Sequence, residues 1–300
     1  MWTGESCPIS AGSRKGEDYI QEDAEEIDCR KGDNAVNTEY MRQMFSLDKK
    51  CAVVTGGSSG IGRGIALSLA NFGAHVLILG RSREGLEKTA EMVRESGGQC
   101  ESYVVDITKE QEVDTFFKEL QNQGRTVDIF IANAGINIRG ELLDTTSEEI
   151  DSLITTNYKG TLYGLIRAGK MMEAQKSGNI VVISSINGIS AMPNLAVYSS
   201  VKYALEGITR SLAASLGPSG VRVNSCAPGV ILTRINENVY DKKENRDAKL
   251  ENIPLRRLGE PREIGDVVAC MVSDAFSFMT GTTILVDGGE LLRGMQKQKM

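Results

Sequence analysis

Cys51-Ala52-Val53-Val54-Thr55-Gly56-Gly57-Ser58-Ser59-Gly60-Ile61-Gly62-Arg63-Gly64-Ile65-Ala66-Leu67 decides the architecture of this chain. Its first five residues are small or β-branched and read as a strand, and apolar periodicity resumes at Ile61 as a helix. Between them, Gly56, Gly60 and Gly62 form a turn in which the backbone can approach a pyrophosphate, whose charge then meets the helix N-terminus. A glycine turn alone is weak evidence. The rival is an ATP phosphate loop, because Gly57 and Gly62 have its separation. That loop continues with Lys and then Ser or Thr, whereas this chain has Arg63-Gly64. The rival fails.

Outward from the turn, the same alternation repeats. Strands are predicted at 51–55, 75–79, 101–105, 128–132, 180–184, 222–227 and 283–286. Helical periodicity lies near 61–72, 82–96, 109–121, 147–176, 198–216 and 261–273. Helix starts are read at Ser82, at Thr108 before Glu110 and Glu112, and at Ser147 before Glu148 and Glu149. The strands are near-continuous apolar runs, as in sheets buried on both faces. The fold class is therefore α/β: a doubly wound, mostly parallel, seven-stranded Rossmann sheet in a single domain over 44–300. The polar stretch 230–258 interrupts the alternation and is long for a connection, which predicts a substrate lid.

Composition limits the function classes. Residues 1–43 hold ten acids and five bases, so they carry nearly all of the net charge of −6. Their poverty in apolar periodicity predicts a disordered acidic extension with little role, and leaves open a start at Met44. The extension lacks the apolar centre of a signal peptide and is too acidic for a transit peptide. No run reaches the roughly eighteen apolar residues of a membrane helix. A cytoplasmic protein is expected. The near-neutral remainder argues against a nucleic-acid surface. Cys7, Cys29, Cys51, Cys100, Cys226 and Cys270 are scattered, supporting neither a disulfide framework nor a metal site. His75, the single histidine, stands at a strand start in an apolar run and reads as a packing residue. Serine–histidine hydrolysis is thereby left almost without a route.

The chemistry is concentrated elsewhere. Tyr198 and Lys202 are four apart, which on a helix puts phenol and ammonium on one face, about 6 Å apart at Cβ. A phenol with its ordinary pKa near 10 is a poor acid–base catalyst at neutral pH, and a nearby cation favours the phenolate. A shift of two or three units needs roughly 3–4 kcal/mol, within reach of a close cation in a partly dry site. Ser185 lies just past a strand's C-terminal end, where doubly wound sheets bind ligands. An NAD site of this design has a carboxylate about twenty residues after the turn. Here Gly80 occupies that place and Arg81 follows, which points to the extra phosphate of NADP; a solvated helix-start arginine is the plainer alternative.

Together, Thr55-Gly56-x-x-x-Gly60-x-Gly62, Asn133-Ala134-Gly135, Ser185, Tyr198-x-x-x-Lys202 and Pro228-Gly229 resemble the short-chain dehydrogenase/reductase family. The likeness runs from about Phe45 to Gly289 and includes Arg256-Arg257-Leu258-Gly259-Glu260-Pro261 and Val286-Asp287-Gly288-Gly289. It implies Tyr198 as acid in carbonyl reduction and base in alcohol oxidation, with Lys202 lowering its pKa and holding the nicotinamide ribose. Ser185, rather than Ser184, would polarise the substrate oxygen, and Asn157 would support a water relay to the lysine. The dinucleotide would be NADP(H) by preference, with NAD(H) second, held by Gly56, Ser58, Ser59, Gly60, Ile61, Gly62 and Arg81. Asp106, Ile107, Asn133, Ala134 and Gly135 would border the adenosine, and Pro228, Gly229, Val230 and Thr233 the carboxamide. Plainer readings stand beside two of these: Asn157 as a strand brace and Thr233 as a turn cap.

The substrate is expected to be a small carbonyl or alcohol, read by 186–197, 136–141 and the lid. Gly135-Ile136-Asn137-Ile138-Arg139-Gly140 is distantly similar to sugar-acid dehydrogenases, and Arg139 could pair with a substrate carboxylate. Three alternatives remain: a polyol, a 3-oxoacyl thioester docked on Arg167, Lys170 and Lys176, or a non-catalytic dinucleotide sensor. The resemblance also implies a homodimer or homotetramer through the long helices at 109–121, 147–176 and 198–216.

Overall fold

The computed structural model describes residues 37–234 and 236–295. The expected seven strands are β1 (Cys51–Thr55), β2 (His75–Gly80), β3 (Gln99–Val104), β4 (Ile129–Ala132), β5 (Gly178–Ile183), β6 (Val221–Pro228) and β7 (Thr283–Val286). They form one sheet in the order β3-β2-β1-β4-β5-β6-β7, and every neighbouring pair is parallel. The helices are α1 (Thr38–Phe45), α2 (Gly60–Asn71), α3 (Arg83–Glu95), α4 (Glu110–Asn122), α5 (Ser147–Leu153), α6 (Gly160–Gln175), α7 (Ala196–Leu216), α8 (Glu237–Tyr240), α9 (Lys243–Leu250) and α10 (Pro261–Val272).

Helix α1 begins inside the segment read as an extension and buries none of its residues. The rest of that segment, 1–36, lies outside the described residues, as do Cys7 and Cys29.

Alternate side chains along each central strand enter opposite layers, the period-two consequence of the pleat. Val54, Ile78 and Ile131 pack with Ile65 and Leu69 of α2, Leu86 of α3 and Val268 of α10. Val53, Leu77 and Phe130 pack on the other face with Phe116 and Phe117 of α4, Leu165 of α6 and Leu205 of α7. The chain winds one way from β1 to β3, then returns across to β4 on β1's other side. That reversal opens a crevice at the carboxyl ends of β1 and β4.

Local chemistry departs from the sequence reading at two helix starts. Ser82 caps α3 as expected, its hydroxyl accepting from Gly85 N at 3.1 Å. Helix α5, however, is capped by Thr146 rather than Ser147, because Thr146 forms a reciprocal box with Glu149. At α4 the N-cap is Lys109, and the Thr108 hydroxyl donates instead to Asp106 at 2.8 Å. His75 starts β2 as read, yet it is more than a packing residue: its Nε2 lies 2.9 Å from Glu101. Within 230–258, helices α8 and α9 surround a small apolar cluster of Tyr240, Ile253 and Leu258. Among the described residues no helix is long and apolar enough to cross a membrane.

Candidate active site

The glycine turn is shaped by what it touches. Gly56 has φ of +69°, and a Cβ there would stand 2.9 Å from the Ala134 Cα. A Cβ on Gly62 would lie 2.2 Å from the Gly56 carbonyl oxygen. Both positions therefore exclude a side chain. The neighbouring turn after β4 is tied to this one: Asn133 Nδ2 donates to Thr55 O at 2.8 Å, and the Thr55 hydroxyl accepts from Asn133 N at 2.9 Å. Ser59, the N-cap of α2, makes no side-chain cap, so the helix's first N–H groups are left for a ligand. Arg63, noticed in the sequence only as a departure from a phosphate loop, staples the turn by donating to Ser58 O at 2.7 Å and Thr89 Oγ1 at 2.9 Å.

A cleft of about 410 Å³ opens above this turn. Gly56, Ser58, Ser59, Gly60, Ile61 and Gly62 form its floor, and Arg81, Asp106, Ile107, Asn133, Ala134 and Gly135 follow the ends of β2, β3 and β4. Tyr198 and Lys202 enter from α7, and Thr233 from the segment after β6. Sequence reasoning gave Ile136 and Asn137 to the substrate and did not include the lining residues Gly80, Val105, Thr108, Thr156, Ile183 and Ser184. Their common signal, a place at or just past a strand end, covers all but Thr156. Pro228, Gly229 and Val230 do not line this cleft. Gly229 N donates to Val286 O at 3.0 Å, and Val230 borders a separate cavity with Ile253 and Leu255.

Asp106 is pulled in two directions. Burial raises its pKa, but hydrogen bonds from Thr108 N (3.0 Å) and the Thr108 hydroxyl, with help from Arg81, outweigh it and hold the carboxyl below its ordinary value. It stays ionised at neutral pH.

Near the cleft's inner end, the Ser185 side chain acts on the Tyr198 phenol and favours its ionised form. Ser185 ends the strand segment in extended backbone, its Oγ accepting from Asn187 N at 3.1 Å. Lys202 is buried, donates to Ile183 O at 2.8 Å, and lies 5.6 Å from the Tyr198 ring centroid. This corrects the expected electrostatics. Burial pushes the Tyr198 phenol up, opposed by Ser185 and then Arg139, and Lys202 is not among the groups that lower it. Burial also pulls Lys202 down to about 8, against the pull of Glu206. Desolvation disfavours both charged forms, and it is the larger effect at each group.

Asn157 is 1% exposed within a π-helical segment, Ile154–Lys159, that joins α5 to α6. Its Oδ1 accepts from Ile136 N and its Nδ2 donates to Ile136 O, each at 2.8 Å. The side chain thus braces the turn after β4. π-Helical insertions of this kind recur at functional sites.

The family profile described as enoyl-(acyl carrier protein) reductase matches residues 56–290. Dehydrogenase/reductase SDR family member 4 of Sus scrofa is 32% identical over 248 residues, covering 82% of this chain and 89% of that protein. A 3-oxoacyl-[acyl-carrier-protein] reductase of Staphylococcus epidermidis is 36% identical over 241 residues, covering 80% and 98%. The chain belongs to the short-chain dehydrogenase/reductase family. Among solved structures, a gluconate 5-dehydrogenase from Burkholderia cenocepacia in complex with NADP and tartrate superposes with a TM-score of 0.79 at 28% identity, covering 84% of this chain and 99% of that one.

As a short-chain dehydrogenase/reductase, the protein is an NAD(P)-dependent oxidoreductase, and its cleft fits a dinucleotide: a side-chain-free turn, an uncapped helix end and an ionised Asp106 stand in one crevice. Among the described residues no group of three or more His, Cys, Asp or Glu could hold a metal. Beside the phenol, this dehydrogenase/reductase carries a cation. Arg139, in the loop after β4, acts on both phenols, Tyr198 and Tyr240 of α8, favouring their ionised forms. Burial pushes that Tyr240 phenol up, so it too is neutral.

Proposed function

We propose that this protein is an NADPH-dependent carbonyl reductase, working reversibly on a small sugar acid or its keto form. The observation that carries the reading is the convergence of Tyr198 and Lys202 on the inner end of the dinucleotide cleft, with the Lys202 ammonium 5.6 Å from the Tyr198 ring centroid. The dinucleotide, when bound, supplies or accepts the hydride. The chain's own part is proton transfer and orientation. Ser185 holds the substrate oxygen beside the Tyr198 hydroxyl. A phenol kept protonated by burial is ready to donate its proton to the oxygen as alkoxide character develops. That state favours reduction; the reverse reaction requires the proton to leave a group whose pKa is raised. Lys202 and Tyr198 orient the ribose side of the ligand, and Asn157 keeps the turn at Ile136 in place.

NADP preference follows from Gly80 and Arg81. Gly80 offers no carboxylate to a ribose hydroxyl, and the exposed Arg81 guanidinium is available for a phosphate at the cleft's rim. The acidic substrate follows from Arg139, an exposed cation whose charge acts on both Tyr198 and Tyr240. A 3-oxoacyl carrier substrate is less well served. Of the three basic residues that would dock it, Arg167 is already paired with Asp114 and Glu110. Segment 230–258 acts as the lid, and assembly as a homodimer or homotetramer belongs to the same proposal, with Ile166 on α6 and Tyr203 on α7 exposed.

Initial rates with NADPH and NADH over keto sugar acids, polyols and 3-oxoacyl thioesters test this reading, with Tyr198→Phe in parallel. Turnover of a keto acid that falls about 10²- to 10⁴-fold in Tyr198→Phe, with NADPH affinity intact, is the expected result. Binding of NADPH with no turnover of any substrate, and no difference between the two proteins, would favour a non-catalytic sensor.

A further inference from the structure

One turn beyond Lys202 on α7 stands Glu206, 2% exposed. Its Oε1 accepts from Ser225 Oγ of β6 at 2.8 Å, and its Oε2 accepts from the Thr283 hydroxyl of β7. A further turn along, Arg210 comes within 3.8 Å, but its side chain is 62% exposed. A buried carboxylate is costly unless it is paired, and two neutral hydroxyls satisfy its lone pairs without neutralising it. The buried cation on the same helix face is Lys202, whose ammonium is itself held by a neutral group, the Ile183 carbonyl. Residues four apart on a helix are about 5–6 Å apart at Cβ, close enough for strong coupling in a dry layer.

We propose that Glu206 is a positioning residue of the proton-transfer centre, its negative charge keeping Lys202 an ammonium at the pH where the enzyme works. The inference rests on the reading of Tyr198 and Lys202 given above. Few other groups contribute to this balance. Tyr198 faces Lys202 from the same helix and is neutral. Beside Glu206, the Cys226 thiol of β6 is pushed by burial up to about 12 and carries no charge. Arg210 opposes Glu206 from the solvent side. Burial pulls Lys202 down and Glu206 pushes it up, leaving it near 8. A lysine poised there loses its charge just above neutral pH, so its anion sets the upper pH limit of activity.

The competing explanation is that Glu206 only ties α7 to β6 and β7 through its hydroxyl partners. Glu206→Gln separates the two, because the amide still accepts one hydroxyl while the charge is gone. Two pH series decide it: kcat/KM for reduction, and NADPH affinity from fluorescence. The alkaline limb in Glu206→Gln is expected about one unit lower, making activity about fivefold lower at pH 8 and within about twofold of wild type at pH 6. Thr283→Val, which removes a tie and keeps the charge, is expected to leave the limb in place. An unmoved limb in Glu206→Gln, or an equal downward shift in Thr283→Val, overturns the inference. Should Glu206→Gln not fold, Arg210→Gln decides: loss of the opposing cation is expected to move the limb up by about 0.3 unit, and no movement overturns it. A wild-type limb in NADPH binding that Lys202→Met leaves unchanged would instead remove the underlying assignment of Lys202, a separate outcome from failure of Glu206 alone.

Discussion

The proposed preference for NADP turns on Arg81. A ribose phosphate carries nearly two negative charges, and a guanidinium can meet it with two parallel hydrogen bonds. Such charge-assisted contacts are worth about 1.5–3 kcal/mol, or roughly 10- to 100-fold in affinity. Arg81→Ala is therefore expected to raise KM for NADPH by roughly 10- to 100-fold and to leave KM for NADH within about twofold, in initial rates at fixed substrate. Equal loss with both cofactors would make Arg81 a helix-start residue only. At this scale the sequence was most readable where spacing alone carries chemistry. The offsets among Ser185, Tyr198 and Lys202 brought those three to one centre, and the glycine offsets formed the cleft floor. Effects set by burial were not readable. The i, i+4 pair suggested a phenol made more acidic, whereas desolvation makes it less so and also weakens the lysine. The contacts of Arg63 and Glu206 were unreadable for the same reason: their partners Thr89, Ser225 and Thr283 are distant in the chain and meet only in the folded layers.

Among elements, β1 and β7 match their predicted bounds, and the other strands differ by one or two residues at an end. Their continuous apolar runs could pack only as strands covered on both faces. The predicted long helix at 147–176 divides into α5, a π-helical segment and α6, and the π register places Asn157 against Ile136. Nothing in the periodicity signals that extra residue. The long polar interruption at 230–258 was legible, but not the aromatic it buries. Tyr240 packs against Ile253 and Leu258, and the Arg139 charge acts on its phenol. Behind it, Lys249 of α9 pairs with the buried Glu290, anchoring the same segment to the chain after β7. If 230–258 acts as the proposed lid, Tyr240 is the residue through which it would meet the cation that acts on Tyr198. Tyr240→Phe keeps the apolar packing and removes the hydroxyl on which Arg139 acts, a loss of about 0.5–1.5 kcal/mol. KM for an acidic substrate is expected to rise about three- to tenfold, with NADPH affinity unchanged by fluorescence titration. A change in cofactor affinity without a change in KM for the acid would separate Tyr240 from substrate recognition.

At the scale of the whole molecule, charge and site are unevenly distributed. Residues 1–43 carry −5 of the net −6, while among the described residues those lining the cleft fall between Gly56 and Thr233. The matched family region, 56–290, likewise excludes the acidic segment. A ligand that binds only the folded state stabilises it by RT ln(1 + [L]/Kd), about 2.7 kcal/mol at a hundredfold excess over Kd. For a domain of this size that corresponds to a Tm rise of roughly 5–10 °C. NADH, lacking the phosphate, is expected to raise Tm about half as much at equal concentration if its Kd is about tenfold higher, since tenfold is about 1.4 kcal/mol. Two anions, the acidic segment and the dinucleotide, would repel each other if the segment reached the cleft, and that repulsion would weaken with salt. The reading proposed for the site assigns the segment no part in binding. Thermal melts of the full chain and of a form lacking residues 1–36 are therefore expected to show equal NADPH-induced shifts at both low and high ionic strength. A larger shift in the shortened form at low salt, vanishing at high salt, would instead identify the acidic segment as an electrostatic competitor for the cofactor cleft.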